Sequence, residues 1–125
     1  NSSALRLVDA VIEKNLHRAI SIFKELEVMK EDPIALIGLL AFQFRTILSV
    51  KLLKQKGYTQ FQIQKQLGLH PYVVKIAMNR ERRFQVNKLE KILDEITNTD
   101  AIIKQGKVEK DLAFELLLHK IIEVA

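Results

Sequence analysis

The 125-residue sequence predicts an all-α fold, a single bundle of six or seven helices. Three observations carry that prediction. Apolar residues recur at spacings of three and four along nearly the whole chain, and no segment alternates as a strand does. Helix start and stop signals come in close succession, leaving connections of a few residues. Only 4 Gly and 2 Pro stand against 48% hydrophobic residues, too few breakers for an all-β protein and too apolar for a disordered one. A chain this long typically buries about two-thirds of its unfolded surface, so one domain over residues 1–125 holds a core without staples. The absence of Cys excludes disulfides, thiolate zinc and a cysteine nucleophile.

Each element has its own signals. Ser3 is the expected cap of a first helix from Ala4 to Lys14, with Leu5, Val8, Val11 and Ile12 inward. A second helix is expected from Leu16 to Met29, with Leu16, Ala19, Ile20, Phe23 and Leu26 on one face. Asp32-Pro33 marks the third start, Asp as N-cap and Pro at the first helical position. That helix runs towards Gly57, is apolar on most sides, and is expected at the centre with Ile37, Leu40, Ala41, Phe44 and Leu48 in the core. Gly38 inside it predicts the close approach of another helix. The longest apolar run, residues 33–42, is about half of what a bilayer span needs, so it reads as core and no membrane partner is expected. Thr59 caps a short helix ending at Gly68, and His70-Pro71 opens another that reaches about Phe84. Asn87 is the expected cap of a longer helix stopped near Gly106, and a last helix spans Lys110 to Glu123. The chain begins at Asn1 rather than Met and carries no signal-peptide pattern, which reads as a cytosolic piece of something longer.

The residue types that carry catalysis are not grouped. His17, His70 and His119 lie far apart and outside any HExxH pattern. The four glycines are isolated, so no Gly-rich loop is available for a phosphate. Glu90, Asp94 and Glu95 share a helix with Lys88 and Lys91 and read as a solvated face. Ser2, Ser3, Ser21 and Ser49 lack a neighbouring base. The expectation is a non-catalytic chain without metal or cofactor.

Charge is uneven. Residues 45–91 hold eleven bases against two acids, a net +9, and the remainder holds nine bases against thirteen acids, a net −4. On the helix after Pro71, Lys75, Asn79, Arg82 and Arg83 fall at i, i+4, i+7 and i+8 and are expected on one face, with Arg80 nearby. That stripe reads either as a phosphate-facing surface or as an ordinary solvated face. Residues 59–83 also imitate a helix-turn-helix. The start of the would-be recognition helix, Pro71-Tyr72-Val73-Val74, offers one hydroxyl and otherwise packing surface, which favours a plain αα-hairpin.

Several segments together carry a resemblance. They are Leu7-Val8-Asp9-Ala10-Val11, Gln43-Phe44-Arg45, Val50-Lys51, Gly57-Tyr58-Thr59, and the most specific, Leu67-Gly68-Leu69-His70-Pro71-Tyr72-Val73-Val74-Lys75. The tail adds Asp100, Ile103-Lys104, Gly106, Leu112-Ala113 and Glu115-Leu116. In this order they resemble the C-terminal region of the delta subunit of bacterial DNA polymerase III, a clamp-loader subunit. The resemblance implies a helical collar that lies after two AAA+-like modules and packs with the collars of other loader subunits into a ring. It implies that the sliding clamp is met only through the N-terminal module, that delta has no working ATP site, and that the transferase chemistry lies in another subunit of the bacterial, cytoplasmic holoenzyme. Two other functions compete with it: a sequence-specific helix-turn-helix regulator and an RNA-binding helical domain.

Three groups of residues are candidate sites. Lys75, Arg80, Arg82 and Arg83 are expected to meet DNA backbone weakly and without sequence preference. Leu112, Phe114, Leu117, Leu118 and Ile121 on the last helix are expected to supply a subunit interface. Arg45, at the end of a strongly apolar stretch, is expected to pair with Asp100 or Glu115, both in the matching tail.

Overall fold

Helix α3 (Pro33–Gln55) is the axis of the computed structural model, which describes residues 2–125. Around it lie α1 (Ser2–Ile12), α2 (Leu16–Val28), α4 (Gln60–Leu67), α5 (Pro71–Arg80), a single 3-10 turn (Glu81–Arg83), α6 (Val86–Lys104) and α7 (Lys110–Val124). Among the described residues there is no strand. Helix α3 touches α1, α4, α5, α6, α7 and the 3-10 turn, while α1 pairs with α2, α6 with α7, and α2 with α7.

The start signals of α3 act as read. The Asp32 carboxylate accepts the Ile34 N–H at 3.0 Å, and Pro33 occupies a position where its missing N–H costs nothing. Ile37, Leu40, Ala41 and Phe44 are buried, and Leu48 is half-buried against them. Ile47, Val50 and Leu53 carry the apolar character well past the ten-residue run. At 23 residues α3 is therefore long and apolar enough, by length and composition, to cross a bilayer, although its buried side is the packing centre of the bundle.

The other starts depend on side-chain caps. Thr59 and Gln62 form a reciprocal capping box, and His70 Nδ1 accepts the Tyr72 N–H at 3.0 Å. The Glu109 carboxylate accepts the Asp111 and Leu112 N–H groups, both at 2.9 Å, and these bonds lower its pKa. Two expected caps fail. Ser3 lies inside α1, and Asn87 lies inside α6, which begins at Val86 with Gln85 at its N-cap and no side-chain capping bond. Asn15, unassigned from sequence, caps α2 by accepting the Arg18 N–H at 3.1 Å.

Four helices end in the same way. The Tyr58 N–H reaches Leu53 O at 3.1 Å around Gly57 (φ 88°), and the Lys107 N–H reaches Ile102 O at 3.1 Å around Gly106 (φ 69°). Helices α1 and α2 close identically around Lys14 (φ 61°) and Lys30 (φ 60°), a backbone region where a Cβ is strained. No other helix of the bundle approaches Gly38. It faces away from the core, and no heavy atom lies within 4 Å of where its Cβ would stand.

Two aromatic pairs lock the layers. Phe23 of α2 meets Phe114 of α7 with ring centroids 4.7 Å apart, and Phe44 of α3 meets Phe84 edge-on at 5.6 Å.

Candidate functional site

The basic surface is built on α5 and the 3-10 turn at its end. The helix stops at Arg80, and the turn rotates the next residues away from the α-helical spacing, so the expected single stripe divides. Lys75, Asn79 and Arg82 line one open groove of about 550 Å³ together with Lys54, Gln60 and Tyr72. Arg82 donates to Asn79 Oδ1 at 3.5 Å. Arg83 lies in a neighbouring cleft beside Asp9 and Glu13. Its carbonyl accepts from Lys14 Nζ at 3.2 Å, and that ammonium also stands 5.1 Å over the Phe84 ring.

Arg80 is not free for phosphate. Its guanidinium is mostly buried, pairs with the Asp9 carboxylate and donates to Gln43 Oε1 at 3.1 Å, tying α5 to α1 and α3. Burial lowers its pKa, and the neighbouring Asp9 carboxylate opposes that shift. Arg80, which lines the same groove, thus differs from the other expected DNA contacts in having its guanidinium engaged within the bundle.

Sequence reasoning missed a second structural charge cluster. Glu81 is buried, with Lys51 Nζ 3.1 Å from one carboxylate oxygen and Lys54 Nζ 2.9 Å from the other. Burial alone would raise its pKa, yet the hydrogen bonds from Lys54 and Lys51 outweigh it and hold the carboxyl below its ordinary value. The signal available was that Glu81 is one of only two acids in residues 45–91. Lys51, Lys54 and Arg80 thus have carboxylate partners within the molecule, the two lysines sharing the single charge of Glu81, and among the described residues the cations of this face without an ion pair are Lys75, Arg82 and Arg83.

The α7 interface is corrected more heavily. Phe114, Leu117, Leu118 and Ile121 are fully buried within the bundle and inaccessible to a neighbour. An apolar excess on α7 reads as surface only if one face suffices for burial; here α7 packs against α1, α2, α3 and α6 at once. Leu112 and Leu116 do point outward, between the Lys24–Glu115 pair on one side and the Lys120–Glu95 pair on the other.

The Arg45 pairing is also absent. Glu115 bonds Lys24 at 3.0 Å, and Asp100 bonds Lys104 at 2.7 Å one turn along α6. Arg45 is exposed and makes no ion pair or hydrogen bond among the described residues, because it sits on the outer side of α3. Among the described residues no three acidic or His side chains gather as metal ligands do.

Comparison with known proteins places this architecture. The family model for the DNA polymerase III delta subunit, C-terminal domain, matches residues 1–121. The DNA polymerase III subunit delta of Bacillus subtilis is 33% identical over 117 residues, covering 94% of this chain and 34% of that protein. The solved structure of a Bacillus subtilis DNA clamp loader delta protein superposes with a TM-score of 0.88 at 32% identity, over 97% of this chain and 36% of that one. The chain thus spans about a third of the length of the relatives it matches. With the family model matching nearly from end to end, and the same helical architecture in a solved relative, the chain belongs to the family formed by the C-terminal domains of DNA polymerase III delta subunits.

Proposed function

We propose that this chain is the collar of a clamp-loader delta subunit. It holds its parent chain to the other loader subunits while a sliding clamp is placed on primed DNA in the bacterial cytoplasm. The observation that carries the reading is the superposition on a clamp loader delta protein over 97% of the chain. The same likeness favours a collar over a helix-turn-helix regulator or an RNA-binding domain. Clamp opening and polymerase chemistry are assigned to other parts of the assembly, and no residue here is given either role.

The basic face fits a secondary role towards DNA. Lys75, Arg82 and Arg83 are exposed, and Pro71, Tyr72 and Val73 at the α5 start are poorly suited to reading base edges. Two or three phosphate contacts give weak, sequence-independent binding with a log–log salt slope of about −2 to −3 on duplex.

Mixing the full-length subunit with the other loader subunits and resolving them by size-exclusion chromatography tests the main reading. Co-elution is expected, and separate elution of this subunit sinks it. Changing Arg82 and Arg83 to Ala lowers duplex affinity equally on all sequences with folding intact. A marked preference for one duplex sequence instead points to the regulator.

A further inference from the structure

Helix α3 carries an outward stripe that the bundle does not cover. Ile34, Gly38, Phe42, Arg45, Ser49 and Leu52 fall within an arc of about 80° and extend about 27 Å along the helix. Phe42 and Leu52 are 40% and 41% exposed, and Gly38 and Arg45 are exposed beside them. The stripe is a ridge between two grooves. One groove, towards α6, is floored by Ile37, Ala41 and Ile96; the other, towards the α4–α5 turn, is walled by Leu67 and Leu69. Arg45 lines both.

Two features define what fits there. The open space above Gly38 lets a neighbouring backbone approach more closely than at any residue carrying a Cβ. Arg45 is the one charged residue of the ridge, and the nearby Asp100 is already taken by Lys104. The α6-side groove is rimmed by Thr97 and the Asp100–Lys104 pair and the other by Thr46 and Ser49, so a guanidinium between two grooves with apolar floors and polar rims is complemented by a carboxylate supplied from outside, flanked by apolar side chains. A second copy of the chain supplies the wrong charge: in a two-fold pair of these ridges cation meets cation, with no acidic residue on either stripe.

We infer that the outer stripe of α3 receives an amphipathic helix of another loader subunit, with apolar rows in the two grooves and a carboxylate on Arg45. The inference rests on the collar reading and names its contact face.

The full-length subunit is mixed with the other loader subunits, and assembly is measured by sedimentation velocity over a concentration series. Arg45→Glu and Gly38→Gln remove no internal bond, so both keep the wild-type circular dichroism; Arg45→Glu keeps the melting midpoint, and Gly38→Gln melts at or slightly above it because Gln favours the helix more than Gly does. Each weakens assembly at least about tenfold, while Lys91→Glu on the far side of α6 assembles as wild type. A Glu→Lys or Asp→Lys change on the partner helix restores assembly to Arg45→Glu. Wild-type affinity in both folded stripe variants overturns the inference and leaves the collar reading standing. Failure of the wild-type subunit to assemble overturns both. Self-association of this subunit that Arg45→Glu abolishes assigns the stripe to a second copy and overturns the partner named.

Discussion

Replacing Glu81 by Gln isolates the buried charge cluster with almost no change of shape. In the wild type one carboxylate is shared by Lys51 at 3.1 Å and Lys54 at 2.9 Å, and Lys51 also donates to the Glu81 carbonyl at 3.3 Å. Breaking a buried ion pair from one side costs about 3–5 kcal/mol when the remaining charge is trapped. Here the remaining charges are less trapped, since the Lys51 and Lys54 side chains are 17% and 41% exposed and can turn towards water. The expected loss at pH 7 is therefore about 2–3 kcal/mol, the size of two weakened charge-assisted hydrogen bonds. Its pH dependence carries the sharper information. The folded pKa of Glu81 lies below its ordinary value of 4.5, so the stabilisation is fully present above that value and disappears as pH falls through the folded pKa. Urea unfolding of both proteins from pH 7 to pH 3 measures this. The gap between them narrows as pH falls, because protonated Glu and Gln are near-isosteric. Equal stabilities at pH 7, or a gap that stays constant with pH, would refute the argument.

Other substitutions test other parts of the structure. Lys30→Gly relieves a left-handed backbone position and raises stability by about 1 kcal/mol in thermal melts, whereas Lys14→Gly gains little because it loses the bond to the Arg83 carbonyl and the Phe84 ring contact. Gly38→Ala adds helix propensity in open space and stabilises by about 0.5–1 kcal/mol; a destabilised variant would mean that the site is crowded. Phe114→Ala costs about 3–5 kcal/mol, while Leu112→Glu stays within about 0.5 kcal/mol of wild type, and chemical denaturation separates them.

What the sequence made legible was local. Asp32-Pro33, Thr59 and His70-Pro71 act through neighbours two or three residues away, so their roles are visible in one dimension. The first and sixth helix starts were misread because Ser3 and Asn87 are good caps by type, yet the chain packs so that the helices begin before them. The site was far less legible. Glu81 and Lys51 meet across 30 residues, and Arg80 meets Asp9 across 71, distances over which spacing carries no information. The basic stripe split because a three-residue 3-10 turn is invisible to a 3.6-residue period. The Arg45 pairing was sought within matching motifs, but shared motifs do not fix which side of a helix faces which neighbour. Both α3 and α7 are apolar almost all round; α7 spends that character inside the bundle, whereas α3 leaves part of it outside.

The dependence of the bundle on α7 has a consequence for synthesis. Phe114, Leu117, Leu118 and Ile121 close the interior against α1, α2, α3 and α6, so the first helix of the bundle is completed by its seventh. A nascent chain released from the ribosome as far as Gly106 exposes the inner sides of α2 and α3 to water and to chaperones. The bundle is therefore expected to fold once α7 has emerged, as one cooperative unit rather than helix by helix. A chain ending before Lys110 is expected to be degraded rapidly in pulse proteolysis, and native-like protection of that fragment would show that the first six helices form a folding unit of their own.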